Sequence, residues 1–146
     1  MVSKILVPYD ASKFSNDAFN EALLIAKKFD AKLEALCVLG SAVKDQAVIS
    51  LSTAIQLQDE QEDEATKIFK DLEKISKDEG VTFSFSVIYD PDPSKGIVNY
   101  ANSNDFDLIV IGSHGRTGLR KKLLGSVAHG VVEHANCPVL IMKNKK

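Results

Sequence analysis

Five short apolar runs alternate along this chain with segments whose apolar residues recur at helical spacing, and few folds accommodate that order. The first run, Lys4 to Tyr9, closes on Asp10-Ala-Ser. Phe14, Ala18, Ala22, Ile25, Ala26 and Phe29 then mark one helical face. Ala31 to Leu39 reads as a second strand, broken by Gly40-Ser41. A long segment follows. Its second half predicts a helix carrying Ala65, Ile68, Phe69, Leu72 and Ile75 and stopped by Gly80. Its first half, Val48 to Leu57, lacks a clean period and is compatible with helix or loop.

Val81 to Ile88 alternates as a strand does, and Asp90-Pro-Asp-Pro-Ser forms a turn before a short helix with Ile97, Val98 and Ala101. Asp107 to Ile111 is apolar enough for a strand buried on both faces. Leu123, Leu124, Val127, Ala128, Val131, Val132 and Ala135 give the last helical stripe, and Pro138 to Met142 the last strand. The order β-α-β-α-β-α-β-α-β requires right-handed crossovers. It predicts an α/β fold with an open, mostly parallel five-stranded sheet, helices on both faces, and one domain over residues 1–146.

Bulk properties narrow the functional classes. The chain has 146 residues, 45% hydrophobic and 26% charged, with a formal net charge of −2. That balance gives no case for a general nucleic-acid or membrane surface. No apolar stretch reaches the ~18 residues a membrane span needs, and Met1-Val-Ser-Lys leads at once into a strand rather than a signal peptide. Cys37 and Cys137 sit in apolar segments without metal-type spacing and read as buried thiols. A cytoplasmic location is the expectation.

In an open parallel sheet, ligands bind beyond the carboxyl ends of the strands, where strand order reverses. Two strand ends carry unusual loops: Pro8-Tyr9-Asp10-Ala11-Ser12 after the first, and Gly112-Ser113-His114-Gly115 after the fourth. Glycines with positive φ or no Cβ would let backbone N–H groups approach a ligand. Gly125-Ser126 lies near the start of the last helix, where unpaired N–H donors favour phosphate. Arg116, Arg120, Lys121 and Lys122 lie between. Neither GxxxxGK[ST] nor GxGxxG occurs in the chain. On the residues alone, an anion cradle and a plain flexible connection both remain open.

The string Gly112-x-x-Gly115-x9-Gly125-Ser126, with "ILVPYDASKFS", "DFDLIVIGSHGRTGL", "LLGSVAHGVV" and "CPVLIM", resembles the universal stress protein family over nearly the whole chain. The resemblance implies a Rossmann-like, adenine nucleotide alpha hydrolase-like fold and the branch of the family that binds ATP. It puts adenine near Pro8, Tyr9, Asp10 and Val38. It puts ribose and phosphates along Gly112, Ser113, His114, Gly115, Arg116, Gly125, Ser126 and Val127, with Mg²⁺ or Mn²⁺ held through the phosphates. Asp10 reads either as a turn or cap residue or as a nucleotide contact. His114 reads as a wall residue beside phosphate, since the sequence offers no nucleophile or orienting acid at a recognisable spacing. No catalytic residue or protein metal site is assigned.

The resemblance further implies a stress-response regulator or nucleotide-dependent switch, with a slow ATPase or phosphotransferase as the alternative. It also implies a homodimer formed through the edge strand Pro138 to Met142, with no nucleic-acid or membrane partner. Tyr9 and Ala11 depart from the small residues or glycine more usual there. Gly130, inside the last helix, costs ~1 kcal/mol relative to alanine unless close packing uses it. The acidic run Asp59 to Glu64 reads as the solvated first turns of a helix, and Asp90 and Asp92 as turn formers.

Overall fold

A computed structural model describes residues 1–40, 51–115 and 124–143. The elements are β1 (Lys4–Pro8), α1 (Lys13–Phe29), β2 (Lys32–Leu39), α2 (Leu51–Asp78), β3 (Phe83–Tyr89), α3 (Pro93–Ser103), β4 (Leu108–Gly112), α4 (Ser126–His134) and β5 (Val139–Met142). The strands form one sheet in the order β3-β2-β1-β4-β5. Every pair is parallel, so the sheet is parallel throughout.

The period of two along each strand divides the apolar residues between two layers. Ile5, Val7, Leu33 and Ala35 pack with Phe19 and Ala22 of α1 and Phe69 and Leu72 of α2. Leu6, Leu36, Ile109 and Ile111 pack on the other face with Ile97 and Ala101 of α3 and Ala128 and Val131 of α4. Ile5, Leu6 and Val7 have no exposed surface, which is why β1 is apolar at consecutive positions. Cys37 packs with the first layer and Cys137 with the second. They lie on opposite faces of the sheet.

Helix ends follow local chemistry. Ser12 caps α1, its Oγ accepting from the Ser15 N–H at 3.2 Å. Asp30 ends α1 in the left-handed region, with φ 54°. Asp92 caps α3, with Pro93 in its first turn, and the Asp90 carboxylate accepts from the Asp92 N–H at 2.9 Å. The pair are turn formers, as the sequence indicates. By contrast the N-cap of α4 is Gly125, which has no side chain to offer.

Three expectations change. Helix α2 already begins at Leu51, so Asp59 to Glu64 occupies its interior rather than its first turns. The last helix starts at Ser126, so Leu124 precedes it, and Leu123 lies outside the described residues. Phe29, Ile75 and Val132, which periodicity assigns to core faces, are exposed. Gly130 is used by close packing: a Cβ there would stand 2.6 Å from Ser94 Oγ and 2.7 Å from Ser94 Cβ. The missing side chain lets α4 approach α3. Among the described residues, no helix is long and apolar enough to cross a membrane.

Candidate functional site

Strand order reverses between β1 and β4: β2 and β3 extend the sheet on one side and β5 on the other. Helix α1, after β1, covers one face, and α4, after β4, covers the opposite one. The connections diverge and leave a crevice above the carboxyl ends of the two strands. A cleft of about 560 Å³ opens there, within the usual ~300–1,000 Å³ of small-molecule sites.

Its walls come from six places. Pro8 ends β1 and Tyr9, Asp10 and Ala11 follow it; Leu36 to Leu39 end β2. Gln61, Glu64, Ala65, Ile68 and Phe69 belong to α2, and Pro93 and Ile97 to α3. Ile111 and Gly112 end β4, with His114 and Gly115 after it, and Gly125 caps α4, which begins with Ser126, Val127 and Ala128. Of the expected residues, Pro8, Tyr9, Asp10, Val38, Gly112, His114, Gly115, Gly125, Ser126 and Val127 meet in this one cleft. Ser113 does not line it. It is buried at 2% exposure, with its Oγ 3.1 Å from His114 Nδ1. Arg116, like Arg120, Lys121 and Lys122, lies outside the described residues.

The β1–α1 turn is tightly determined. Asp10 Oδ1 accepts from the Ser12 N–H and from Ser15 Oγ, both at 2.9 Å. Asp10 is therefore a turn former as well as a wall residue, while Ser12 is the cap. The Tyr9 ring packs against Phe19 and Phe69, with centroids 6.5 and 6.0 Å away, and its hydroxyl donates to Asn16 Oδ1. Burial first, then the charges of Asp10 and Asp71, push this phenol above its ordinary 10.0. It stays protonated at neutral pH and serves as a fixed donor.

Ala11 sits at φ 64°. The left-handed region costs a residue with a Cβ ~1–2 kcal/mol, against the ~0.5–1 kcal/mol of extra chain entropy that glycine loses on folding. Ala11→Gly is therefore expected to raise stability by about 0.5–1 kcal/mol, read from the midpoint of urea unfolding. An unchanged or lower midpoint contradicts strain at this turn.

The glycine wall works by a different route from the positive φ considered for Gly112 and Gly115. Among the described glycines only Gly80 has positive φ; what matters in the wall is the missing Cβ. At Gly112 a Cβ would stand 2.7 Å from Phe14 Cβ and 2.8 Å from the Phe14 carbonyl carbon. At Gly115 it would stand 3.2 Å from Asp10 Oδ2, and at Gly125 3.2 Å from the Ser113 carbonyl oxygen. The Gly125 N–H donates to that same oxygen at 2.7 Å, which pins the start of α4 beside the end of β4. Ser126, Val127 and Ala128, the first turn of α4 with its unpaired amide donors, line the cleft, and among the described residues no side chain caps that turn.

The α2 wall is what the sequence reading misses. Ala65, Ile68 and Phe69 read there as core alone, and Glu64 as solvated. The available signal is spacing, because Gln61, Glu64, Ala65 and Ile68 continue one helical face.

Fold and cleft together define a Rossmann-like α/β protein with its crevice at the topological switch point. The model of the universal stress protein family matches residues 1–143. A universal stress protein of Methanocaldococcus jannaschii is 37% identical over 148 residues, spanning 100% of this chain and 85% of that one. The chain belongs to the universal stress protein family. It superposes on the structure of universal stress protein UspA from Lactobacillus plantarum with a TM-score of 0.85 at 28% identity, over 96% of this chain and 97% of that one. A universal stress protein solved in complex with cAMP shares the fold, with a TM-score of 0.70 at 22% identity over 97% of each chain.

Proposed function

We propose that this chain binds an adenine nucleotide, ATP with its divalent ion, and acts as a nucleotide-dependent switch in the stress response. The observation that carries the proposal is the two-ended character of the cleft. One end is apolar, with Leu36, Val38, Ile68 and Phe69, and suits a base. The other is the first turn of α4, whose N-cap is Gly125, beside a wall of glycines, and suits phosphate. A relative solved with cAMP, itself an adenine nucleotide, supports the assignment of the ligand class.

Among the described residues, no group of three or more His, Cys, Asp or Glu could hold a metal ion. A divalent ion held by phosphate oxygens and water fits such a site, with Asp10 as the carboxylate nearest the glycine wall. Self-association through Pro138 to Met142 belongs to the same proposal. Among the described residues strand β5 pairs only with β4, and Leu140 on β5 and Val132 on α4 are exposed. An apolar edge of this kind is normally paired or covered.

Denaturing the purified protein and identifying released small molecules by mass, together with calorimetric titration with Mg–ATP, tests the proposal. Released adenine nucleotide, or saturable heat on titration, is expected. A protein that releases none and takes up none contradicts it. ADP accumulating on incubation with ATP would move the function from holding ATP to cleaving it.

A further inference from the structure

Besides the six walls of the cleft, helix α1 reaches it through one residue, Ser15. Ser15 is buried at 5% exposure in the first turn of α1, and it holds Asp10 at two points. Its Oγ donates to Asp10 Oδ1 at 2.9 Å and accepts from the Asp10 N–H at 3.3 Å. The Ser12 carbonyl oxygen, 3.1 Å away, competes for the same proton. The carboxylate is the stronger acceptor and here the nearer one. One hydroxyl thus ties the side chain of Asp10 to its own backbone. The Ser12 N–H adds a second donor on Oδ1, also at 2.9 Å. Held in this way, the carboxylate turns its other oxygen, Oδ2, towards Gly115 and the glycine wall.

Helix α1 has no need of that hydroxyl. Its cap is Ser12, which takes the backbone N–H of Ser15, and any residue but proline would supply that donor. Alanine is also the better helix former at an interior position. On the reading of the cleft as a nucleotide site with Asp10 beside the phosphate-bound ion, we infer that Ser15 is a positioning residue. It fixes the Asp10 carboxylate so that Oδ2 is presented to the nucleotide and its ion before they arrive. A carboxylate left to swing must be ordered on binding, which weakens affinity.

The test is calorimetric titration with Mg–ATP of wild type, Ser15→Ala, Asp10→Ala and the double variant. Ser15→Ala is expected to bind about tenfold more weakly, the usual loss when the partner of a liganding group is removed. Asp10→Ala is expected to lose at least as much. The double variant is expected to match Asp10→Ala within about twofold, because Ser15 then has no carboxylate to hold. Ser15→Cys keeps nearly the same volume with only a weak donor and is expected to lose affinity as alanine does. In the ligand-free protein, three-bond couplings to the Asp10 β-protons report its rotamer. Wild type is expected to show one rotamer and Ser15→Ala an average.

Four outcomes overturn the inference while leaving nucleotide binding intact. These are wild-type affinity in folded Ser15→Ala or Ser15→Cys, wild-type affinity in Asp10→Ala, losses that multiply in the double variant, or a single Asp10 rotamer kept in Ser15→Ala. Multiplying losses would make Ser15 a direct ligand contact or a purely structural residue. Absence of any nucleotide binding by wild type overturns the proposed function and the inference with it.

Discussion

Replacing Gly112 with alanine is expected to cost about 2–3 kcal/mol of stability and to lower Tm by roughly 4–10 °C. The added Cβ would meet Phe14 Cβ at 2.7 Å, its carbonyl carbon at 2.8 Å and its carbonyl oxygen at 2.9 Å. Two of these three atoms are helix backbone, so relief requires moving α1 away from the end of β4. Gly115→Ala makes the useful contrast. Its one close neighbour, 3.2 Å away, is the end of the Asp10 side chain, and the expected cost is below about 1 kcal/mol. Differential scanning calorimetry of the two variants separates the roles. Equal stability would mean that Gly112 serves the ligand and not the packing of α1.

Replacing Ser126 with proline is expected to weaken ATP binding at least tenfold while leaving the fold within about 1 kcal/mol of wild type. Proline is suited to the first helical position because its missing N–H has no intrahelical partner there. Gly125 has ψ 162°, the extended conformation a residue before proline requires. The substitution thus deletes a backbone donor from the cleft and little else. Ser126→Ala removes only the hydroxyl and distinguishes its contribution from that of the amide. Binding by Ser126→Pro equal to that by Ser126→Ala would show that this N–H does not touch the ligand.

The strand–helix alternation was legible because buried parallel strands and amphipathic helices leave distinct periods. Ile5 to Val7, buried on both faces, and the stripe from Ala65 to Leu72 are the clearest cases. Ten of the twelve site residues implied by the resemblance meet in the cleft, and strand order accounts for the loops after β1 and β4 converging there. The physical role of Gly112 was not legible. Its need for a missing Cβ arises from Phe14, 98 positions away in the chain, and no local pattern records that contact. Gly130 carried a local cost whose compensation, Ser94 on another helix, is likewise a tertiary fact. The α2 wall was missed because the sequence reports a helical face, not how far the helix outruns the sheet. An acidic residue at the end of an apolar stripe looks the same whether it faces open water or a cleft.

The most direct measurement is an amide-resolved NMR titration of the protein with ATP and, separately, with adenosine. Both ligands are expected to shift residues around Val38 and Phe69. Only ATP is expected to shift the amides of Ser126, Val127 and Ala128 strongly, because the triphosphate is what reaches the first turn of α4. Shifts confined to other surfaces, or α4 amides that respond alike to ATP and adenosine, would contradict a cleft that holds the nucleotide by its phosphates.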